Sequence, residues 1–488
     1  MTTGSRGVRG GAIITVAQGL RLGVQFLSLV LLSRLLSPAD FGLVAMVSVV
    51  LSLGDLLRDF GIPTAALQAR ELSQQQSSNL FWINFGMGLA SALGVVVLTP
   101  LLVLVYGRSE LAAITPVIAV GLAMNGLQTQ WLVHLARAGR FGAIAISDVI
   151  APLLGLALAL VIAANGGGYW ALVGQSLVTT ATLTISRAAL ARWLPGRPRR
   201  HSGTGPILRS GLRIGGAQFL GYAASNADSF IIGVQFGPTQ LGVYNRGFQL
   251  MSLPISGLLG PLTNVVLPTV RQAASEGQNF FEIMRRIQFL GALPLVAILS
   301  TLVVTAPSLL PALLGNQWDG VVPIFQVLAI GTMFQCLSYV SYWTFLLQHK
   351  ERQLLHYNLL TKPVAILLVL GGSLFGPVGV AVGYALSLVI AWPVSLAWLR
   401  KVAGQPFLEF FMSGLHILGA GGISVAIGFG ISSWTGAHVE GVPHVLLVAG
   451  SCLATFALST VALPSARREL ARSLPLLRSA FGRNRKTE

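Results

Sequence analysis

Leu153-Leu154-Gly155-Leu156-Ala157-Leu158-Ala159-Leu160-Val161-Ile162-Ala163-Ala164 decides the fold class of this chain. The run carries no polar side chain and no alternation, so it does not read as a strand of a membrane barrel, whose residues alternate between lipid and lumen. Stretches of this kind, each roughly 20 residues and so long enough to cross a bilayer as a helix, recur from Gly11 to Pro464. The gaps between them are too short to hold a soluble domain. Of 488 residues, 53% are hydrophobic and 10% charged, and the mean hydropathy is +0.74. Lipid is the solvent, and an open chain in lipid must satisfy its backbone internally, which leaves helices. The expectation is an all-α polytopic membrane protein of about fourteen transmembrane helices, the first over 12–36 and the last over 443–463.

A net charge of +17 raises nucleic acid as a partner. The basic residues argue otherwise. Of 32 Lys and Arg, 26 fall in connections on one face, seven of them from Arg187 to Arg213 and seven after Pro464, whereas Arg108 stands alone on the other. This is the positive-inside pattern, with both termini cytoplasmic. Short loops are not a folded basic face, so no nucleic acid is expected. Met1 to Gly10 has the charge of a signal peptide, but the next span carries Gln18, Arg21 and Gln25 and continues to Leu36, which reads as a retained first helix. Cys336 and Cys452 lie in apolar spans and read as small buried hydrophobes. The histidines, His134, His349 and His416 among them, show no metal-ligand spacing, and no metal or cofactor is expected.

An internal repeat divides the chain. Ala17-Gln18 with Leu20 returns as Ala217-Gln218 with Leu220. Leu36-Ser37-Pro38-Ala39-Asp40-Phe41-Gly42-Leu43 returns as Phe236-Gly237-Pro238-Thr239-Gln240-Leu241-Gly242-Val243, again 200 residues on. Six helices separate equivalent points, so the two lobes are parallel and related by an axis along the membrane normal. The expected organisation is a lobe over 1–191, a cytoplasmic linker over 192–211, a second lobe over 212–400, two further helices over 401–466 and a basic tail over 467–488. The linker, with Pro195-Gly196-Arg197-Pro198-Arg199-Arg200, reads as flexible. Two lobes about such an axis are transporter architecture.

Polar residues inside the membrane are functional candidates, because Arg or Asp near a helix centre costs about 2.5 to 3.5 kcal/mol on insertion scales. Gln18, Arg21, Gln25 and Ser28 share one face of the first helix, and Gln218, Tyr222, Ser225 and Asp228 share one face of the seventh, with Asn226 beside them. Two readings stay open for these matched stripes: the walls of a cavity, or hydrogen-bond glue between helices. Asp55, Arg58 and Asp59 form a structural ion pair or an ion-coupling site, and Asp228 is a further coupling candidate. Arg246 is placed in the first turns of the eighth helix, where a long side chain snorkels to the interface. Lys362, beside Pro363, is deeper. Asp148 opens the fifth helix, where water at the interface solvates it. No nucleophile with an adjacent base stands out, and the outer connections are small, so an enzyme is not expected.

Several segments carry a resemblance. Ser33-Arg34-Leu35-Leu36-Ser37-Pro38-Ala39-Asp40-Phe41-Gly42-Leu43-Val44-Ala45-Met46, Asp59-Phe60-Gly61-Ile62-Pro63-Thr64-Ala65-Ala66-Leu67-Gln68, Asn226-Ala227-Asp228-Ser229-Phe230-Ile231-Ile232-Gly233 and Leu241-Gly242-Val243-Tyr244-Asn245-Arg246 resemble the Wzx-type polysaccharide flippases. These are the polysaccharide-transport branch of the multidrug/oligosaccharidyl-lipid/polysaccharide exporter superfamily. The resemblance covers most of the chain. It implies a bacterial inner-membrane protein that moves an undecaprenyl-pyrophosphate-linked oligosaccharide to the periplasmic leaflet for O-antigen, capsule or exopolysaccharide assembly. A glycan polymerase and glycosyltransferases are the implied protein partners. Arg21, Arg246 and Lys362 are cations suited to a pyrophosphate, and Gln18, Gln25, Asn226 and Asn245 suit sugar hydroxyls. A cation-coupled drug exporter, which would centre its cavity on acidic residues such as Asp228, and a non-transporting scaffold for glycan-assembly enzymes are the competing readings.

Overall fold

A computed structural model describes residues 3–59, 61–69, 71–199, 204–205, 208–209, 226–436, 441–462 and 467. Among the described residues the structure is helical, without strands, and eleven helices are long and apolar enough to cross a membrane. The chain divides into two compact units, Met1–Asn245 and Arg246–Glu488.

The first unit contains α1 (Thr3–Leu35), α2 (Pro38–Asp59), α3 (Ile62–Gln68), α4 (Gln74–Val97), α5 (Thr99–Tyr106), α6 (Leu111–Arg137), α7 (Phe141–Ala164), α8 (Trp170–Ala191) and the opening of α9 (Ala227–Ser275). Here α4 packs on α6, α6 and α7 on α8, and α1 on α7. Two of the breaks between these helices have backbone causes. Gly61 at φ +68 separates α2 from α3, and a proline in the first turn restarts the helix. Pro100 does the same at the start of α5, directly after Leu98.

Within α9 the helix is interrupted at Gly237, with φ 78 and ψ −176, a conformation that an L side chain rarely adopts. The repeat in the sequence becomes contact here. The first turn of α2, at Pro38 and Gly42, crosses the stretch of α9 at Pro238 and Gly242. A methyl group added at Gly42 would overlap the Pro238 carbonyl, and one added at Gly242 would overlap the Pro38 carbonyl. Each repeat thus presents its glycine to the other's proline carbonyl, a backbone-to-backbone approach open only to small residues. The α2 end is pinned by Asp40, whose carboxylate accepts from the Ser37 amide at 2.9 Å and the Ser37 hydroxyl at 2.6 Å.

The linker departs from its expected flexibility over 192–199. Trp193 Nε1 donates to Gln74 Oε1 at 2.6 Å, Trp82 Nε1 to the Gly196 carbonyl at 2.9 Å, and Asn79 Nδ2 to the Arg199 carbonyl at 2.7 Å. The Gly196 amide donates to Ser78 Oγ at 2.9 Å, and the Arg199 amide to Asn79 Oδ1 at 3.0 Å. Prolines at 195 and 198 keep the strand-like segment extended, so its amides and carbonyls need side-chain partners, and α4 supplies them.

The second unit contains the rest of α9, then α10 (Phe280–Leu314), a short turn at Asn316–Trp318, α11 (Val321–Leu347), α12 (Glu351–Ser373), α13 (Gly376–Ala403), α14 (Phe407–Thr435) and α15 (Val442–Ala462). α10 packs on α11, α11 and α12 pack on α13, and α14 and α15 lean on α10. Cys336 and Cys452 are buried free thiols in this unit.

Candidate functional site

In the first unit two buried arginines, Arg58 and Arg187, are paired with carboxylates. Arg58 is buried on α2 between Asp55, at 3.3 Å, and Asp59, at 2.7 Å. Asn125 Nδ2 donates to Asp55 at 3.4 Å, and Gln128 Nε2 donates to Asn125 Oδ1 at 2.5 Å. Arg187 completes the chain, donating to Gln128 Oε1 at 2.8 Å and to Asp148 at 2.6 Å. This corrects two expectations. Arg187 is a buried residue of α8 rather than part of a basic loop, and Asp148 is held by an ion pair rather than by interfacial water. The physical reason is shared, because a charge inside a membrane bundle is costly and an opposite charge at hydrogen-bond distance offsets much of that cost.

The residues singled out from the sequence scatter. Gln18, Arg21 and Gln25 are exposed on α1, while Ser28 accepts from Gln175 Nε2 of α8 at 2.7 Å. Gln218, Tyr222 and Ser225 lie outside the described residues, and Asn226 is half-buried at the start of α9. Asp228 is buried, accepting from Tyr244 Oη at 2.6 Å and from the Ser229 amide at 2.7 Å. Ser229 Oγ donates to Asn245 Oδ1 at 3.1 Å, so Asp228 and Asn245 are tied into the two limbs of α9. Arg246 does not snorkel. Its side chain is buried in the second unit, with the guanidinium 5.8 Å from the Trp318 ring centroid and donating to Gln249 Oε1 at 2.7 Å. A guanidinium stacks on an indole and is weakly hydrated, which makes this burial tolerable.

Lys362 lines a cavity within the second unit. The cavity, of about 570 Å³, opens between α9, α11, α12 and α13, in the range of small-molecule sites. From α11 come Gln335, Ser338, Tyr339 and Tyr342, spaced 3, 1 and 3 residues apart and so on one helical face. From α12 come Tyr357, Asn358 and Lys362. Some of the lining is fixed. Tyr357 Oη donates to the Ala391 carbonyl at 2.9 Å, Ser395 Oγ to Ser341 Oγ at 2.8 Å, and Trp343 Nε1 to Thr263 Oγ1 at 3.0 Å. The rest is not. Among the described residues, the side chains of Gln335, Tyr339, Tyr342, Asn358 and Lys362 have no hydrogen-bond or ion-pair partner, and none of the lining residues is acidic. Tyr339 and Tyr342 meet edge to face, with centroids 6.2 Å apart.

The surface can solvate a hydrophilic group inside an apolar unit: amides and phenols for hydroxyls, an ammonium for an anion, ring faces for stacking. The α11 stripe was readable from helical spacing in the sequence. It was missed because uncharged polar residues cost less than charged ones at a helix centre and do not stand out beside Arg and Asp.

A family model described as polysaccharide biosynthesis protein matches residues 31–323. The chain belongs to the polysaccharide biosynthesis protein family. Among curated relatives, the lipopolysaccharide biosynthesis protein WzxC of Escherichia coli (strain K12) is 22% identical over 419 residues, covering 83% of each chain. The succinoglycan biosynthesis transport protein ExoT of Rhizobium meliloti (strain 1021) is 23% identical over 467 residues, 94% of this chain and 92% of that one. These relatives bear out the resemblance to Wzx-type flippases. Among solved structures, the lipid II flippase MurJ in an inward closed conformation superposes with a TM-score of 0.72 at 10% identity, covering 92% of this chain and 98% of that one. An inward-facing multidrug resistance MATE family transporter of the MOP superfamily gives a TM-score of 0.59 at 15% identity, over 78% and 94%. The chain therefore has the fold of a polytopic all-α membrane transporter.

Proposed function

We propose that this protein is a flippase for lipid-linked oligosaccharide, moving undecaprenyl-pyrophosphate-linked repeat units from the cytoplasmic to the periplasmic leaflet of the bacterial inner membrane. The observation that carries this reading is the cavity of the second unit, where five polar side chains that have no hydrogen-bond or ion-pair partner among the described residues line an open space between apolar helices. Unpartnered polar groups in a membrane protein are costly to keep, so their presence indicates a hydrophilic ligand or the water that precedes it. A saccharide on a lipid carrier has the required duality: sugars for the cavity, an apolar chain for the bilayer.

Relatives named for lipopolysaccharide biosynthesis and succinoglycan transport support the same cargo class. Two parallel lobes, rocking alternately, supply the mechanism. Lys362 is the cation placed to meet an anionic part of the headgroup, and the exposed Arg21, Gln18 and Gln25 of α1 are further contacts. Asp55, half-exposed and held by Arg58 at 3.3 Å, is the coupling candidate whose release from its partner costs least. Both termini lie on the cytoplasmic side in this reading, beside the glycosyltransferases that load the carrier. The drug-exporter alternative is disfavoured because the cavity offers no carboxylate to a cationic drug.

Reconstitution tests it. Purified full-length protein in vesicles is expected to transfer a lipid-linked oligosaccharide between leaflets, read as new accessibility to an added glycosidase. Cells lacking the protein should hold repeat units in the inner leaflet. Full surface glycan in such cells, with no transfer in vesicles, defeats the reading.

A further inference from the structure

We infer that the cavity of the second unit is a specificity site for a carboxylate-bearing sugar, with Lys362 as its counter-ion and Tyr339 and Tyr342 as its ring platform. The inference rests on the transport reading above and sharpens it from lipid-linked oligosaccharide in general to repeat units containing a hexuronic acid or a similarly acidic sugar.

The argument is one of charge matching. Lys362 sits on α12 inside the membrane with no acidic residue among the lining of its cavity. Every ion pair described in the first unit shows the usual solution, a counter-charge from the protein itself. The lining around Lys362 offers neither a carboxylate nor an indole such as the one Arg246 stacks on, so the counter-charge arrives with the ligand. A single ammonium is a compact point charge. One carboxylate leaves the loaded cavity neutral. A pyrophosphate, bearing more than one negative charge, would leave a net negative charge in a membrane unit that offers no second cation in that cavity.

The remaining lining fits a sugar ring rather than a bare anion. Gln335 and Asn358 each present a donor and an acceptor, matching hydroxyls that do both. The two tyrosine rings, edge to face at 6.2 Å, offer one flat surface and one edge, onto which the apolar face of a pyranose can settle. Tyr357 gives its hydroxyl to the Ala391 carbonyl, which locks the α12 face that carries Asn358 and Lys362.

The experiment compares two probes on the same polyprenyl pyrophosphate in vesicles containing the full-length protein, one ending in glucuronic acid and one in glucose. The readout is the ratio of their transfer rates, accompanied by binding of free glucuronate to the detergent-purified protein through intrinsic fluorescence. Wild type is expected to favour the acidic probe by about tenfold, the scale of one charge-assisted hydrogen bond. Lys362→Gln should bring the ratio close to one, and Lys362→Arg should retain a preference. Slowing of both probes by Lys362→Gln with the ratio kept means that Lys362 reads the pyrophosphate, and overturns the proposal. A wild-type ratio near one overturns it as well. If wild type transfers neither probe but binds glucuronate in a Lys362-dependent way, the sugar site stands and the transport reading falls. Absence of both transfer and binding removes both. Circular dichroism and melting of Lys362→Gln guard against a folding defect, with Tyr342→Phe, which keeps the ring, expected to hold the preference.

Discussion

The two units handle polarity in the membrane in opposite ways. In the first, Asp59, Arg58, Asp55, Asn125, Gln128, Arg187 and Asp148 run as one chain of contacts across α2, α6, α7 and α8. In the second, Gln335, Tyr339, Tyr342, Asn358 and Lys362 line a cavity without protein partners. The residues are of similar polarity, so composition does not separate structural from functional use. Pairing does. A group satisfied by the protein has its energy committed to the fold, whereas one left unsatisfied holds it in reserve for a ligand.

The sharpest way to break this contrast is Arg187→Met. It removes a buried guanidinium and leaves Asp148 and Gln128 without their donor, a change that costs about 3 to 5 kcal/mol for a buried pair. The expected outcome is a large fall in melting temperature and in membrane abundance. Arg187→Met with Asp148→Leu should recover much of the loss, because no uncompensated charge is then left in the bundle. If the single variant melts like wild type, the first-unit network is not structural and the contrast fails.

Next in size is Gly42→Ala. The added methyl meets the Pro238 carbonyl, and backbone at both sides of the crossing has little room to move, so overpacking of about 1 to 3 kcal/mol is expected. Gly242→Ala should cost a similar amount against the Pro38 carbonyl, and the double variant less than the sum, since the first methyl already parts the segments. Thermal unfolding of the three variants checks both statements. Additive losses would mean that the two repeats do not share one crossing.

These glycines also show what was legible beforehand. The helix class was read from Leu153 to Ala164 because lipid leaves a long apolar run few options. The 200-residue repeat was read because Pro38, Gly42, Pro238 and Gly242 serve backbone approach, which only particular residue types permit. What the sequence did not reveal depends on partners distant along the chain. Arg187 lies at the end of a span, where a loop and a helix read alike, until Asp148 and Gln128 are seen beside it. Pro195 to Arg199 has the composition of a flexible linker, and its order comes from Gln75, Ser78, Asn79 and Trp82 more than a hundred residues earlier. Of the candidate residues, Lys362 reached the cavity, while the tyrosines and amides around it carry no charge to draw notice.

The linker gives a smaller effect. Asn79 both donates to and accepts from Arg199 and also accepts from Gln75 Nε2 at 3.1 Å, so Asn79→Ala removes the two hydrogen bonds to Arg199 and frees the Gln75 amide at an exposed end of α4. A loss of about 1 kcal/mol is expected, read best as faster trypsin cleavage after Arg199, since the bond after Arg197 precedes a proline and resists trypsin, with little change in global melting. Unchanged cleavage would mean that the contacts made by Gln75, Ser78 and the two tryptophans hold the segment without Asn79.

The smallest effect on stability should come from the cavity, and it is the most informative. Gln335→Leu removes an amide that no protein group engages, so the fold loses no hydrogen bond and no buried amide is left to satisfy. Melting should stay within about 0.5 kcal/mol of wild type or rise, as is common where a site trades stability for function. Transfer of lipid-linked oligosaccharide in vesicles should fall in the same variant. Arg187→Met would then lose stability first and activity only as a consequence, and Gln335→Leu would lose activity with stability intact. A Gln335→Leu protein that melts early would show that the amide is engaged by the fold after all, and the distinction between the paired first unit and the open second one would have to be given up.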